Sequence, residues 1–507
     1  MRNKIRTLDD LQAVTASLRL KGKTVVHCHG VFDLLHVGHL KHFNEAKSFG
    51  DVLVVTITPD EYVHKGPNRP AFPTSLRLEA LAAIESVDFV AANKWPSAVE
   101  TIRKLQPAVY CKGPDYRNHK DDLTGNIDNE EQAIASVGGE IRYTEDVTFS
   151  SSGLLNRYGH VYSEVQQSFI QKLRNSQTLD EINTKIDELL KLRVLVIGET
   201  IVDQYVFCEA LGKSGKEPVL VLRELDMAQY AGGAGAIARH LSEFCGSVSL
   251  LSMLGENREH EAFVLESLPS NVEPYFIYKE AAPTITKKRF VDHLTKNKSL
   301  GVYSLNDAQM TKSNQRQLNS LLDELIPHHD LVIVSDYGHG FLGQDTAQYI
   351  STKAVFTSLN AQINAANIGY RTMDNYRDVD CAIINEAELR HELRDRDSSV
   401  ELLMKDLAAR LNVTNLVVTQ GSGGATLYAT DDDRYHQCPA FAGTVVDKIG
   451  AGDAMLALLS CSLKSGFGAD LSLFMGSLAA AQSVETIGNS VAVNKVQLLK
   501  TFSHAVK

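Results

Sequence analysis

The sequence lacks any uninterrupted apolar run of the ~20 residues that a membrane-spanning helix needs. Its opening stretch, MRNKIRTLDDLQ, is polar and lacks the apolar core of a signal peptide. The seven cysteines are scattered, odd in number and never arranged as CxxC, which argues against a disulfide framework. From these absences we expect a cytoplasmic protein with reduced thiols and no membrane partner.

Basic residues are also in deficit, because the formal net charge is −11. A protein that binds nucleic acid broadly normally has a basic surface, so we expect no nucleic-acid partner. A local pocket on an acidic protein can still bind small anions. The 507 residues, 44% of them hydrophobic, have an ordinary globular composition but are too many for one core. We therefore expect two or three domains.

Short apolar runs alternate with helical patterns over residues 23–150, and again from Arg193 onward. This alternation is typical of doubly wound α/β domains with parallel sheets. Between the two regions, charged segments with helical spacing predict one or two connecting helices. We predict one α/β domain over residues 1–157, a helical linker over 158–190 and a second α/β domain over 191–507. Formation of a homodimer or a higher homo-oligomer through the linker helices stays open.

The segment GVFDLLHVGHLKHF, residues 30–43, places two histidines where an apolar strand leads into a helical pattern. A helix N-terminus favours anions, and His36 and His39 would add hydrogen-bond donors for phosphate oxygens. Donors fixed there would stabilise the charge that develops when an α-phosphate is attacked. Gly30 and Gly38 would let the backbone approach the ligand. Alternatively, the pattern is accidental, or the histidines are surface or metal-binding groups.

Three further segments follow predicted strands or begin predicted helices. KGPNRP (residues 65–70) is a basic loop, and CKGPDY (residues 111–116) supplies a mobile cation and a carboxylate. TFSSSGLL (residues 148–155) places three serines at a predicted helix start, where hydroxyl and N–H groups can bind a polyphosphate. Ligands of doubly wound sheets bind at the carboxyl ends of strands, so these segments are expected at one site.

This ordered set resembles the cytidylyltransferase-like nucleotidyltransferases over about residues 23–157. Within them it is most similar to the adenylyltransferase half of bacterial heptose-phosphate kinase/adenylyltransferases, and next to polyol-phosphate cytidylyltransferases. The resemblance implies that a sugar phosphate attacks the α-phosphate of ATP or CTP and releases pyrophosphate. It implies catalytic roles for His36, His39 and Lys112, and a substrate contact from Asp115. The nucleotide-binding residues that it implies are Gly30, Phe32, Asp33, Gly38, Lys65, Ser150, Ser151 and Ser152.

The segment IGAGDAM, residues 449–455, is the strongest single signal in the second half of the chain. The small residues Gly450, Ala451 and Gly452 would let successive backbone N–H groups point at one anion at a helix start. Asp453 follows directly and can accept a proton from a hydroxyl that attacks a γ-phosphate. The alternative is a glycine-rich turn at the start of an ordinary core helix.

Other segments of this half fit the same chemistry. VIGETIVDQY (residues 196–205) is predicted to end a strand and to place Asp203 against sugar hydroxyls. YAGGAGAIARHL (residues 230–241) brings two glycines to a helix start, while SDYGHG (residues 335–340) closes a strand. NEAE (residues 385–388) sets an amide and a carboxylate on one helix face, a pair that suits Mg²⁺ through water. VTQGSGGATLY (residues 418–428) predicts a strand, a glycine turn and a strand beside a nucleotide.

Together these segments resemble the ribokinase-like (PfkB) sugar kinases over about residues 191–500. The resemblance implies that Asp453 is the catalytic base and that Mg²⁺ and ATP bind near Asn385 and Glu388. It implies nucleotide binding by Gly421, Gly450, Ala451 and Gly452, and substrate binding by Asp203, Gly232, Gly233 and Asp336.

The chain departs from the family pattern at several points. Ala236 stands where the family usually has asparagine, and Ile449 stands where it usually has threonine. The family's Asp-Pro-Lys is replaced by FTSLNAQINAANIGY (residues 356–370). The domain order is also the reverse of that in the heptose enzymes, where the kinase comes first. These departures bear on the identity of the sugar more than on the chemistry.

We predict a bifunctional enzyme whose kinase phosphorylates a sugar or sugar phosphate from ATP. Its nucleotidyltransferase would then make an NDP-sugar for a cell-surface glycan such as lipopolysaccharide or capsule. A polyol kinase joined to a polyol-phosphate cytidylyltransferase, an inactive half that serves as a binding module, and a structural scaffold stay open. The neighbours His27, Cys28 and His29 do not predict a zinc site, because no further Cys/His pair has zinc spacing.

Overall fold

The structure is a computed structural model that describes residues 2–63, 69–117, 126–145, 162–363 and 373–506. The chain forms two compact units, one of Met1–Glu164 with Val496–Lys507 and one of Val165–Lys495. None of the helices in these described ranges combines the length and hydropathy needed to cross a membrane.

The first unit is built on a five-stranded sheet in which every neighbouring pair is parallel. In chain order its strands are β1 (Val25–Gly30), β2 (Val52–Ile57), β3 (Phe89–Ala92), β4 (Val109–Lys112) and β5 (Glu140–Tyr143). Their spatial order is β3-β2-β1-β4-β5, so the chain reverses direction across the sheet between β1 and β4. Ligands bind at such a reversal point in open α/β sheets.

Helices lie between these strands, as the alternating pattern predicts. They are α1 (Leu8–Leu20), α2 (Val37–Ser48), α3 (Thr74–Ala82), α4 (Val99–Leu105) and α5 (Asn126–Ser136). Helix α1 begins at Thr7, whose side chain accepts the N–H of Asp10 in a capping box. Phe43 of α2 packs with Val26 and Val55 of the sheet in one buried cluster, which fixes α2 against β1 and β2.

The second unit contains a nine-stranded sheet and a separate four-stranded sheet. The strands are β6 (Arg193–Gly198), β7 (Thr200–Lys213), β8 (Leu220–Gly233), β9 (Ser247–Gly255), β10 (Val272–Lys279), β11 (Thr286–Asp292), β12 (Lys298–Ser304), β13 (Leu331–Asp336), β14 (Thr357–Ala361), β15 (Cys381–Asn385), β16 (Asn415–Thr419), β17 (Ala425–Ala429) and β18 (Arg434–Cys438). The large sheet is parallel except for its last two strands, and its order is β10-β9-β6-β13-β14-β15-β16-β17-β18. The small sheet has the order β12-β11-β7-β8.

The helices that follow α5 in the chain complete the fold. They are α6 (Glu164–Ser176), α7 (Leu179–Glu188), α8 (Ala234–Ser242), α9 (Glu261–Ser267), α10 (Lys312–Leu325), α11 (Gln344–Lys353), α12 (Glu386–Leu393), α13 (Val400–Leu411), α14 (Ala451–Lys464), α15 (Ala469–Val484) and α16 (Lys495–Val506). Helices α6 and α7 form in the segment that we predict as a linker, and they belong almost wholly to the second compact unit. The domain boundaries 157 and 191 stay predictions.

The predicted α/β class with parallel sheets is confirmed in both units. The prediction that a strand ends near Asp203 is wrong. Asp203 lies inside β7, a strand of 14 residues that pairs with β8 in a long antiparallel hairpin. This hairpin and the other two strands of the small sheet form a lid, the name used here for β7, β8, β11 and β12.

Candidate active sites

The two predicted imidazoles of the first unit meet at the start of α2. His36 is the N-cap residue of this helix and His39 lies in its first turn. Their rings are stacked with centroids 4.0 Å apart, and the ring of Phe32 meets His39 edge-on at 5.3 Å. Burial lowers the pKa of His36, so this imidazole is neutral near pH 7. Two imidazoles at a helix N-terminus form a donor-rich site for an anion.

The turn between β1 and α2 is tight. Phe32 has a φ of 48°, which is uncommon for a residue other than glycine. A Cβ atom on Gly30 would lie only 3.0 Å from the Phe32 ring. A side chain at position 30 would therefore move Phe32 and, through it, His39. Gly38 lies in the first turn of α2, between the two histidines.

Asp33 is positioned by protein groups. It is buried, lies 3.3 Å from Arg69 and accepts the backbone N–H of Phe72 at 3.1 Å. Both partners belong to the segment that follows β2. Asp33 therefore holds that segment against the turn that precedes His36, and its predicted contact with the nucleotide stays a prediction.

Lys112 differs from the mobile cation that the sequence predicts. It is the last residue of β4, it is buried, and its ammonium lies 2.8 Å from the carboxylate of Glu130. It also lies 4.4 Å from the ring centroid of Tyr116. A phosphate would have to compete with Glu130 for this cation.

Several predicted nucleotide ligands lie outside the described residues. These are Lys65, Ser150, Ser151 and Ser152. The backbone of Asp115 lies in a short 3₁₀ helix, Pro114–Tyr116, but its side chain is also outside what the structure describes.

In the second unit, the residues of the predicted anion site lie at the start of α14. Gly450 is the N-cap residue with a φ of 93°, and a Cβ atom there would lie 1.9 Å from the side-chain oxygen of Asn489. Only glycine therefore fits this position. The first helical bond runs from the N–H of Ala454 to the carbonyl of Gly450 at 2.9 Å. The N–H groups of Ala451, Gly452 and Asp453 precede this first bond, so they have no acceptor within the helix and can bind an anion.

Asp453 has the environment of a general base. Its carboxylate accepts a hydrogen bond from the Tyr337 hydroxyl at 2.7 Å and a longer one from Asn489 at 3.5 Å. The pKa of Asp453 is raised to about 6, because burial and the nearby charge of Asp203 together outweigh the hydrogen bond from Tyr337, which lowers it. A carboxylate with this pKa is ionised at pH 7 and still basic enough to take a proton.

Asp203 lies where the lid meets α8. It forms an ion pair with Arg289 of β11, and both side chains are nearly buried. A Cβ atom on Gly232 would lie 2.4 Å from the Asp203 carboxylate, while one on Gly233 would lie 2.3 Å from the carbonyl of Glu199. The two glycines thus let β8 pass close to the predicted sugar-binding carboxylate.

Lys287 is a residue that the sequence analysis missed. Within the described ranges its ammonium has no hydrogen-bond acceptor or ion-pair partner, and it lies 5.7 Å from the ring of Tyr337. Burial lowers the pKa of Lys287, while the carboxylates of Asp203 and Asp453 raise it. A buried ammonium without an ion-pair partner among the described residues suits an anion. The alternation of Lys287 and Arg289 along β11 was the available sequence signal.

Glu199 was also missed. It follows β6 and accepts the backbone N–H groups of Tyr337 at 2.9 Å and His339 at 3.0 Å. Burial and the neighbouring Asp336 raise its pKa. Glu199 fixes the loop after β13, and that loop carries the hydroxyl that contacts Asp453.

The predicted substrate residue Asp336 ends β13 and bonds to protein groups through both carboxylate oxygens. One oxygen accepts the N–H of Gly338 and the other the hydroxyl of Tyr376, each at 2.8 Å. Gly421 lies in the turn between β16 and β17, where its φ is 57°. Their roles toward substrate and nucleotide stay predictions.

Asn385 and Glu388 form a capping box at the start of α12. The Asn385 side chain accepts the N–H of Glu388 at 2.8 Å, and Glu388 accepts the N–H of Asn385 at 3.2 Å. Burial raises the pKa of Glu388 to about 7. An amide oxygen and a carboxylate are hard donors that suit Mg²⁺, and each oxygen retains a lone pair, so the pair fits a water-mediated magnesium contact.

The two departures from the kinase pattern lie in different surroundings. Ala236 is buried in α8. The N–H of Ile449 bonds to Asp447 at 3.1 Å. Asp447 also accepts bonds from Tyr205 of β7 and Lys298 of β12, both at 2.6 Å. The buried carboxylate of Asp447 therefore links the segment that precedes α14 to strands β7 and β12 of the lid.

Comparison with known proteins identifies the second unit. Residues 191–495, more than half of the chain, match the pfkB family of carbohydrate kinases. The chain belongs to the pfkB family of carbohydrate kinases. Residues 27–157 of this pfkB protein match the cytidylyltransferase-like proteins, so a second family domain precedes the kinase domain.

Curated relatives of the pfkB protein include the bifunctional protein HldE of Haemophilus influenzae (strain PittEE). It is 26% identical over 313 residues, which cover 61% of this chain and 63% of the relative. The bifunctional protein HldE of Geotalea uraniireducens (strain Rf4) is 38% identical over 148 residues, which cover 29% and 28%. The matched part of the pfkB protein thus spans less than two thirds of either relative.

A solved structure of phosphofructokinase-2 from Escherichia coli, in complex with substrates and products, shares the fold. It aligns with a TM-score of 0.50 and 15% identity, covering 62% of the pfkB protein and the whole of the solved chain. At this identity the likeness concerns the fold alone.

Proposed function

We propose that the chain is a bifunctional enzyme that makes an NDP-sugar. The kinase half phosphorylates a sugar or sugar phosphate, of heptose type, from ATP. The other half transfers a nucleotidyl group from ATP or CTP to the sugar 1-phosphate. The order is chemically consistent, because a kinase acting at an anomeric hydroxyl produces the nucleophile that the second half needs.

The surroundings of Asp453 carry the kinase proposal. In the proposed reaction, an acceptor hydroxyl held by Asp203 attacks the γ-phosphorus of ATP while Asp453 accepts its proton and ADP leaves. The N–H groups at the start of α14 bind the transferring phosphoryl oxygens. Lys287 lies near both carboxylates and would neutralise part of the charge that develops between them. Asn385 and Glu388 would hold Mg²⁺ through water, and the ion would neutralise charge on the β- and γ-phosphates when bound.

The stacked imidazoles of His36 and His39 support the nucleotidyl-transfer half. A phosphate oxygen of the sugar phosphate attacks the α-phosphorus, the bond to pyrophosphate breaks, and charge grows on the non-bridging oxygens. Two imidazoles at the start of α2 can donate hydrogen bonds to those oxygens without reorganising. The protein need not supply a nucleophile, because the substrate phosphate attacks directly.

A substrate screen tests the proposal. The purified chain would be incubated with Mg²⁺ and either ATP or CTP, together with a panel of heptoses, hexoses, polyols and their phosphates, while ADP and pyrophosphate are followed separately. We expect sugar-dependent ADP release and sugar-1-phosphate-dependent pyrophosphate release. A preference for polyol phosphate with CTP would instead favour a polyol kinase joined to a polyol-phosphate cytidylyltransferase. Pyrophosphate release without ADP release would favour a kinase half that serves as a binding module.

The pH profile of the kinase reaction is expected to depend on Tyr337. Its hydrogen bond lowers the pKa of Asp453, so Tyr337→Phe raises that pKa above its value of about 6. A base with a higher pKa is protonated at higher pH. The acidic limb of kcat/KM against pH should therefore move upward in Tyr337→Phe, with the rate approaching that of the wild type at alkaline pH. An acidic limb at the same or lower pH would contradict this role.

A further inference from the structure

The first unit contains a buried pair of thiols beside an imidazole. Cys28 of β1 and Cys111 of β4 are register partners on neighbouring parallel strands, and both are fully buried. His42 of α2 reaches the same spot. One sulfur from each cysteine and one ring nitrogen of His42 all lie within 4.8 Å of one another. Across the described part of the chain, no other group of three or more His, Cys, Asp and Glu side chains meets this spacing.

We propose that Cys28, Cys111 and His42 bind a zinc ion that ties α2 to β1 and β4. Two thiolates and an imidazole are ligands that zinc prefers. Binding would release the two thiol protons, and two thiolates would then balance the charge of Zn²⁺. The neutral complex suits a buried position better than a charged one would.

The geometry requires only a small adjustment. Zinc bonds of about 2.3 Å to sulfur and about 2.0–2.1 Å to nitrogen place tetrahedral ligands roughly 3.5–3.8 Å apart. The spacing of at most 4.8 Å is therefore closed by small movements of the three side chains. A water molecule can complete the four-coordinate shell.

The second nitrogen of His42 has the partner that a metal-binding histidine usually has. Nδ1 of His42 lies 3.0 Å from the hydroxyl of Thr144, which orients the ring, and in the proposed complex Nε2 would bind the ion. The other two histidines near Cys28 do not belong to the site. His27 and His29 each bond to the hydroxyl of Thr56 at 2.8 Å.

The ion would have a structural role close to the nucleotidyl-transfer site. His42 follows His39 by one helical turn on α2, Cys28 precedes Gly30 on β1, and Cys111 precedes Lys112 on β4. A bond among these three elements would fix the helix that presents the imidazoles. The proposal does not depend on the substrate of either half.

Metal binding by the reduced full chain tests the proposal. The protein would be stripped with a chelator, reduced with a phosphine and titrated with Co²⁺ and then Zn²⁺. We expect a single ion per chain after removal of excess metal, a sulfur-to-cobalt charge-transfer band that Zn²⁺ abolishes, and a higher unfolding temperature with Zn²⁺. Absence of tight binding by the reduced wild type would overturn the proposal.

Variants assign the site to these residues. Cys111→Ala and His42→Gln should each lose the bound ion and the metal-dependent rise in unfolding temperature. The matched control is Cys461→Ala, which disrupts the other close thiol pair, because the Cys461 and Cys245 sulfurs lie 3.5 Å apart. This control should retain the ion. Circular dichroism of the metal-free proteins checks folding, and His42→Gln serves if Cys111→Ala is misfolded. Unchanged binding in a folded His42→Gln, or loss of binding in Cys461→Ala, would refute the assignment.

Discussion

Replacement of Asp453 by asparagine is expected to reduce sugar-dependent ADP release to a small residual rate and to leave pyrophosphate release unchanged. Asparagine keeps the shape of the side chain, and its oxygen can still accept the hydrogen bond from Tyr337. What it loses is the capacity to take a proton from the attacking hydroxyl. Since a positioned general base contributes about 10²- to 10⁴-fold, the kinase rate should fall by that factor. Separate assays of ADP and pyrophosphate on the same preparation measure both effects.

A matched control for this substitution is Asp406→Asn on α13. Asp406 is exposed, and its replacement removes one carboxylate without touching the site. It should change neither activity. A kinase rate in Asp453→Asn equal to that of the wild type would remove Asp453 from the chemistry. Equal loss of both activities in that variant would contradict two independent sites.

Replacement of His39 by alanine is expected to have the reverse effect. The His39 ring stacks on His36 at 4.0 Å and contacts Phe32, so its loss removes one donor and loosens the other. Loss of a single preorganised donor to a transition-state oxyanion typically costs about 10²–10³ in rate. Because His39→Ala removes one donor and loosens the other, the rate of nucleotidyl transfer should fall by about 10³-fold or more. Pyrophosphate release with a sugar 1-phosphate as acceptor measures the effect.

Two controls accompany the histidine substitution. ADP release by His39→Ala should equal that of the wild type, which also shows that the kinase half is folded. His328→Ala removes an exposed imidazole and should leave both activities intact. If His39→Ala retained wild-type pyrophosphate release, the imidazole pair would not be the nucleotidyl-transfer site.

The five-stranded and nine-stranded sheets were predictable from the sequence because most of their strands are buried on both faces. A strand of this kind is a continuous apolar run, as in β1, β6 and β13, and the sequence marks it without knowledge of its neighbours. The lid was not predicted. All seven residues of β12 and half of the residues of β8 are exposed, so neither strand is a continuous apolar run.

The glycine positions of the proposed kinase site were also predictable, because the backbone conformation that requires glycine is a local property. Gly450 needs a positive φ at a helix start, and Gly233 has a φ of 60° at another. The partners of the charged residues were not predictable. The ion pair of Lys112 with Glu130 and the contacts of Glu199 with the loop after β13 join segments that the sequence separates.

The sequence alone determined the fold class, the family resemblance and the residues at which backbone amides can converge on phosphate, because apolar runs and glycine turns act over a few neighbouring positions. The tertiary structure decided which charges are neutralised and which groups meet. It buried Lys112 against a carboxylate, buried Lys287 without an ion-pair partner among the described residues, and brought Cys28, His42 and Cys111 together. Electrostatic and metal-binding properties depend on distances through space, and only the packed chain sets those distances.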